Sequence, residues 1–130
     1  DAEFAEALVA ALHRLDPQLP ILVMAGSVVE AVATRIEHPV VREFYADRHY
    51  GADGTIVFTR NVGVLNPEDI AAKVLQACRQ GTVRTVEGHD IAIEFESVCI
   101  HSDTKGALAL VAATRKALDD AGIAVASFAA

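Results

Sequence analysis

The sequence predicts an α/β fold with a mostly parallel sheet and a small inserted β-hairpin. Three features lead there. Short apolar runs of strand length alternate with longer segments of helical period, and Gly or Pro sits at the junctions. At 130 residues, 52% of them hydrophobic, the chain has material for one domain of modest size.

The first helix is read over "DAEFAEALVAALHRL", with Phe4, Leu8, Leu12 and Leu15 as its inner stripe. Pro17 and Pro20 end it. "ILVMAG" is continuously apolar, the pattern of a strand covered on both faces. Ser27 is the N-cap of "SVVEAVATRIEH", whose Val29, Val32 and Ile36 share a face. "PVVREFYA" returns as a strand. "NPEDIAAKVLQACRQG" is the clearest helix. Asn66 caps it, Pro67 suits the first turn, Ile70, Val74 and Cys78 form the inner stripe, and Gly81 stops it. "TVRTVEGHDIAIEF" alternates around Gly88 as a hairpin, with Ile91, Ile93 and Phe95 on one face. "SVCIHS" is a further strand, "DTKGALALVAATRKALDDAG" the last helix, ended by Gly122, and "IAVASF" a final strand.

The net charge is −7 and no window concentrates Lys and Arg, which argues against nucleic acid and anionic lipid as partners. No apolar run approaches the roughly 18 residues of a membrane span. The two cysteines, Cys78 and Cys99, read as lone buried thiols of a reducing, cytoplasmic compartment. The chain opens without Met, already on a helical pattern, which predicts further sequence upstream.

In parallel α/β sheets, ligands sit where loops leave the carboxyl ends of strands. Two polar segments leave such ends. One is "EFYADRHYGADGTIVFTR", carrying Glu43, Asp47, Arg48, Tyr50, Asp53 and Arg60; the other is "HSDTKGA", carrying His101 and Asp103. Both are expected on one rim. His101 and Asp103 would project to the same side of an extended chain, as an acid/base pair or as two metal ligands, too few for a closed metal site. Asp103 or Ser102 equally fits the N-cap of the following helix. Asp47 with Arg48 reads also as a loop salt bridge, Tyr50 as a packing aromatic, and Asp53-Gly54 as a turn. Glu43, late in a strand, needs a partner or faces the site.

The first of these segments resembles the E-x-FADR-x-Y-x-x-DGTLV-x-R block of the LamB/YcsF family. "HSD" followed by "TKGAL" resembles its HGD-x-x-GA block, with similar spacing between the two. Ser102 stands in place of the usual Gly, and "RNVGVL" in place of an Arg followed by a Pro-Gly-Ala turn. The family's N-terminal blocks, among them NCDLGE and KPHGALY, are absent, so the resemblance covers the C-terminal half. It implies part of a (β/α) barrel related to sugar deacetylases. It also implies a role in hydrolysing 5-oxo-L-proline to L-glutamate, with ATP as co-substrate and two further subunits as partners. Glu43, Asp47, Arg48, Tyr50, Asp53, Arg60, His101 and Asp103 are then the rim residues of this half. Arg48 would fix the substrate carboxylate, and His101 would act with Asp103 or Asp47 as acid and base. A partner-docking module and a metal-dependent hydrolase are the alternative readings. A missing N-terminal half, or self-association, is expected to cover the open sheet.

Overall fold

The computed structural model describes residues 1–59 and 63–127. The elements run α1 (Ala2–Leu15), β1 (Ile21–Met24), α2 (Val28–Arg35), β2 (Val40–Tyr45), α3 (Pro67–Gln80), β3 (Thr82–Arg84), β4 (Asp90–Ala92), β5 (Ser97–Cys99) and α4 (Ala107–Asp120). The three-stranded sheet has the order β1-β2-β5, with β1 parallel to β2 in the register Ile21 to Val40 through Met24 to Glu43. The antiparallel pair β3–β4 is the expected hairpin. The chain forms two compact units, residues 1–44 with 94–97, and residues 45–93 with 98–130.

In the first unit α1 packs on α2 around Ala5, Val9, Val32 and Ala33, with Ile21, Val29 and Val40 against this cluster. The stripe expected on α1 is displaced by one residue. Ala5 and Val9 are buried, whereas Phe4 is 65% exposed and Leu15 76%. Small residues at positions 5 and 33 allow close helix approach, which a phenyl ring there would prevent. β1 is covered on one face: Val23 is buried and Leu22 is half exposed.

Ser27 caps α2 by accepting from the Glu30 amide, while the Glu30 carboxylate accepts from the Gly26 amide, a reciprocal arrangement close to a capping box. The helix ends with Glu37 in the left-handed region, φ 56°. The amides of Glu37 and His38 donate to the carbonyls of Thr34 and Ala33, closing the terminal turn. Arg42 of β2 binds Glu94 at 2.8 Å and takes Glu96 onto both its amide and its guanidinium. These two glutamates are therefore paired surface groups.

In the second unit α3 packs on α4. Asn66 and Gly81 bound α3 as expected, and Ile70, Ala71, Val74 and Ala77 are its buried residues. Cys78 lies on the flank of that stripe and is exposed; Cys99 is half-buried. The reading of both thiols as buried is thereby corrected. Helix α4 starts at Ala107 after Gly106, φ 83°, with no side-chain cap, so neither Ser102 nor Asp103 caps it. Gly122 ends it as expected, the amides of Gly122 and Ile123 donating to Asp119 and Leu118. No strand forms over 123–127, where one was expected. A strand exists through its ladder, and β5 has one sheet neighbour, β2, among the described residues.

Glu37 is the one non-glycine residue with positive φ among those described. Glu37→Gly is expected to raise the unfolding free energy by roughly 0.5–1 kcal/mol, relief of the left-handed strain exceeding the extra unfolded-state entropy. Chemical denaturation checks it, and an unchanged or lower midpoint refutes it.

Candidate functional site

The site begins where β2 ends. Ala46 still donates to Cys99 at 3.0 Å, and the next residue turns its carboxylate inward. The Asp47 side chain has no solvent exposure. Its Oδ2 accepts from the His101 amide at 3.0 Å, from Thr104 Oγ1 at 2.5 Å and from Arg48 Nη1 at 2.9 Å. Its Oδ1 lies 2.8 Å from His101 Nδ1. Burial by itself would drive the Asp47 pKa up; the hydrogen bonds from Thr104 and His101 outweigh it and hold the carboxyl below its ordinary value. An ionised Asp47 requires the proton of the neutral imidazole on Nδ1, which leaves the lone pair on Nε2. The Tyr45 ring meets the His101 ring edge-on at 4.9 Å and fixes its plane.

Arg48 is held by the same group. Its Nη1 also reaches Thr104 Oγ1 at 2.9 Å, while Nη2 lies 3.7 Å from Asp103 Oδ1. Asp103 is largely exposed. The two polar segments therefore meet, and Asp47, not Asp103, is the carboxylate on His101. Tyr50 is buried with its hydroxyl accepting from the Tyr45 amide at 2.9 Å. Burial pushes its pKa up to about 12, so it stays a neutral phenol. Asp53 folds its own turn, accepting from Thr55 Oγ1 at 2.7 Å and the Thr55 amide at 3.0 Å. Those same bonds hold its carboxyl below the ordinary value. Glu43 belongs to the other compact unit, where its carbonyl accepts from Ala25. Arg60 lies outside the described residues.

Two residues of this cluster escaped the sequence reading. Thr104 was hidden by its ordinary identity in a turn. Lys73 left a signal: it stands between Ile70 and Val74, a charge on the edge of an otherwise apolar helical stripe. Its ammonium donates to the Ala46 carbonyl at 3.0 Å and to that of Arg48, and lies 5.2 Å from the centre of the Tyr50 ring. Burial pulls its pKa down to about 8, with Asp47 pulling the other way. Asp47, Arg48, Lys73, Asp69, Arg84 and Thr85 are among the residues lining a cleft of about 630 Å³ in this unit. Such a volume admits a small metabolite. Among the described residues, no group of three or more His, Cys, Asp or Glu is arranged to hold a metal ion, and no helix is long and apolar enough to cross a membrane.

A match to the LamB/YcsF family extends over residues 1–130. The chain belongs to the LamB/YcsF family. It is 59% identical over 125 residues to a 5-oxoprolinase subunit of Pseudomonas syringae, covering 96% of this chain and 50% of that protein. It is 41% identical over 126 residues to the corresponding 5-oxoprolinase subunit of Mycolicibacterium gilvum, covering 95% of this chain and 50% of that one. The crystal structure of a lactam utilization protein from Thermus thermophilus superposes with a TM-score of 0.87 at 32% identity, over 98% of this chain and 51% of the other. The chain thus spans about half the length of the curated relatives it matches.

The Asp47 network makes acid stability testable. Its folded-state pKa is depressed, so its contribution is present above the unfolded value near 4 and is lost as pH falls through the lower folded value. Asp47→Asn is expected to flatten that acid limb and to cost roughly 1–3 kcal/mol at neutral pH, because donors lose their charged acceptor. Denaturant titrations between about pH 2 and 7 check both statements. An acid limb identical to wild type contradicts them.

Proposed function

We propose that this chain supplies part of the active site of a 5-oxoprolinase, acting in the cytoplasm as the C-terminal half of the enzyme's LamB/YcsF-type (β/α) barrel. The observation that carries the reading is the buried Asp47 carboxylate holding His101 by Nδ1, 2.8 Å away, beside an arginine.

5-Oxo-L-proline is a compact lactam bearing one carboxylate. Arg48 is the cation for that anion: Asp47 and Thr104 hold its Nη1, and Nη2 points toward exposed Asp103 at a looser 3.7 Å. His101, with its proton fixed on Nδ1, presents Nε2 as the base that draws a proton from water as it adds to the lactam carbonyl. When the C–N bond breaks, the resulting imidazolium returns the proton to the departing nitrogen, and Asp47 stabilises the charge in between. Asp103, exposed beside Arg48, is the second acidic group available to that transfer. Tyr50 enters the reading as a pin for the turn and Asp53 as a rim residue, while Glu43 and Arg60 enter it only as the family resemblance implies. ATP is the co-substrate of the whole complex: transfer of its terminal phosphoryl group to the lactam oxygen, with ADP leaving, would activate the carbonyl, and inorganic phosphate would leave after water has added and the ring has opened. The other subunits and the remaining half of the barrel are the partners.

Full-length protein, assembled with its companion subunits and ATP, is expected to lose roughly 10- to 100-fold in kcat/KM on Arg48→Ala or His101→Ala, the loss of one charge-assisted contact of about 1.5–3 kcal/mol. Glutamate release measures it, with circular dichroism to verify folding. Near-normal turnover in both variants rejects these roles and favours a docking function. The 130-residue chain alone is expected to be inactive and to self-associate through uncovered apolar surface that includes Phe4 and Leu8. Light scattering with the same assay tests this, and an active, monomeric chain refutes it.

A further inference from the structure

Lys73 has no place in the acid/base scheme, yet its contacts converge on it. The carbonyls it grips belong to Ala46 and Arg48, the residues on either side of Asp47. The two gripped peptide planes flank the Asp47–Arg48 pair, so the grip restricts the backbone of both residues, and the direction of the Asp47 side chain follows from that. The same grip orients Arg48, whose guanidinium must reach Thr104 and Asp103. We infer that Lys73 is a positioning residue of this site, a strap across the backbone of Asp47 that aims its carboxylate at His101 and sets the reach of Arg48. The inference rests on the acid/base reading given above.

Charged groups surround the ammonium on several sides. Asp47 faces it from the loop after β2, and the Tyr50 ring lies beside it. Asp69, one turn earlier on α3, lines the same cleft, as does Arg84 of β3, whose guanidinium is paired with Asp90. On α4, Arg115 and Lys116 pair with Asp119 and Asp120 on exposed surface. Burial lowers the Lys73 pKa to about 8, so the unfolded chain holds this proton more tightly than the folded one. The protonated amine therefore works against folding at neutral pH, and stability from this group rises as pH climbs from about 8 toward the unfolded value near 10.4. A stability role does not account for a buried ammonium here, whereas control of the Asp47 backbone does. Charge strengthens each of its two carbonyl bonds, so the strap weakens as the amine loses its proton.

The test uses the full-length protein and reads the His101 Nδ1 proton by NMR, together with kcat and the thermal midpoint. In wild type the resonance is expected to be sharp near neutral pH and to broaden as pH rises through about 8. In Lys73→Arg, which keeps its charge, it is expected to persist to about pH 9 or beyond. In Lys73→Met the resonance should be lost at neutral pH, with kcat down by roughly 100-fold, the scale of a misplaced catalytic group, and the protein still folded. A His101 signal unchanged in Lys73→Met and constant through pH 8 in wild type overturns the inference. If Lys73→Met does not fold, the comparison of wild type with Lys73→Arg decides. The catalytic reading fails separately: His101→Ala would then turn over normally, while the resonance still reports on the strap.

Discussion

A carboxylate withdrawn from water must be neutralised or fully bonded, and at Asp47 the second solution organises the second compact unit. Its acceptors are filled by an amide and an imidazole from the segment after β5, a hydroxyl from the turn before α4, and a guanidinium from its own neighbour. None of these donors is adjacent to Asp47 in sequence except Arg48. Satisfying one side chain therefore brings together two segments more than fifty positions apart. The imidazole tautomer, the place of Arg48 and the conformation of the turn at 101–106 all follow from that requirement.

Much of the framework was legible because it depends on local chemistry. Ser27 and Asn66 as helix starts and Gly81 and Gly122 as helix stops involve contacts within a few residues. The meeting of the two polar segments was legible too, because both follow strands and were expected on one rim. Tertiary choices were less visible. On α1 two overlapping apolar stripes compete, and close approach to Ala33 on the partner helix selects the one containing the small Ala5 together with Val9. On α3 the difference between Ala77 and Cys78 is one position of phase. The signal at Lys73 was weak because a lysine on a helix is ordinarily solvated, and its neighbours in space lie 25 and 27 positions away.

The family pattern has glycine where this chain has Ser102, and the backbone conformation here does not require one. Ser102 is exposed and is not among the residues with positive φ, so the turn makes no demand that only glycine meets. The demand for a left-handed residue falls instead on Gly106, four positions on. The turn at 101–106 thus accommodates a hydroxymethyl group without redirecting His101.

The start of α4 carries the cost of this arrangement. Ser, Asp and Thr occupy the three positions after His101, and each is a residue type that caps helices well. Yet α4 begins on Gly106 with no side-chain cap. Thr104 gives its hydroxyl hydrogen to Asp47 and accepts from Arg48, and Asp103 faces Arg48. With glycine at the cap position, forgoing a side-chain cap costs the helix only roughly a few tenths of a kcal/mol. In exchange the carboxylate of Asp47 gains a donor it could not do without, since an unfilled acceptor at that depth costs about 1–3 kcal/mol or more. The local capping rule fails here because Thr104 is held by Asp47 and Asp103 faces Arg48, and such failures of local consistency gather where a fold builds a site.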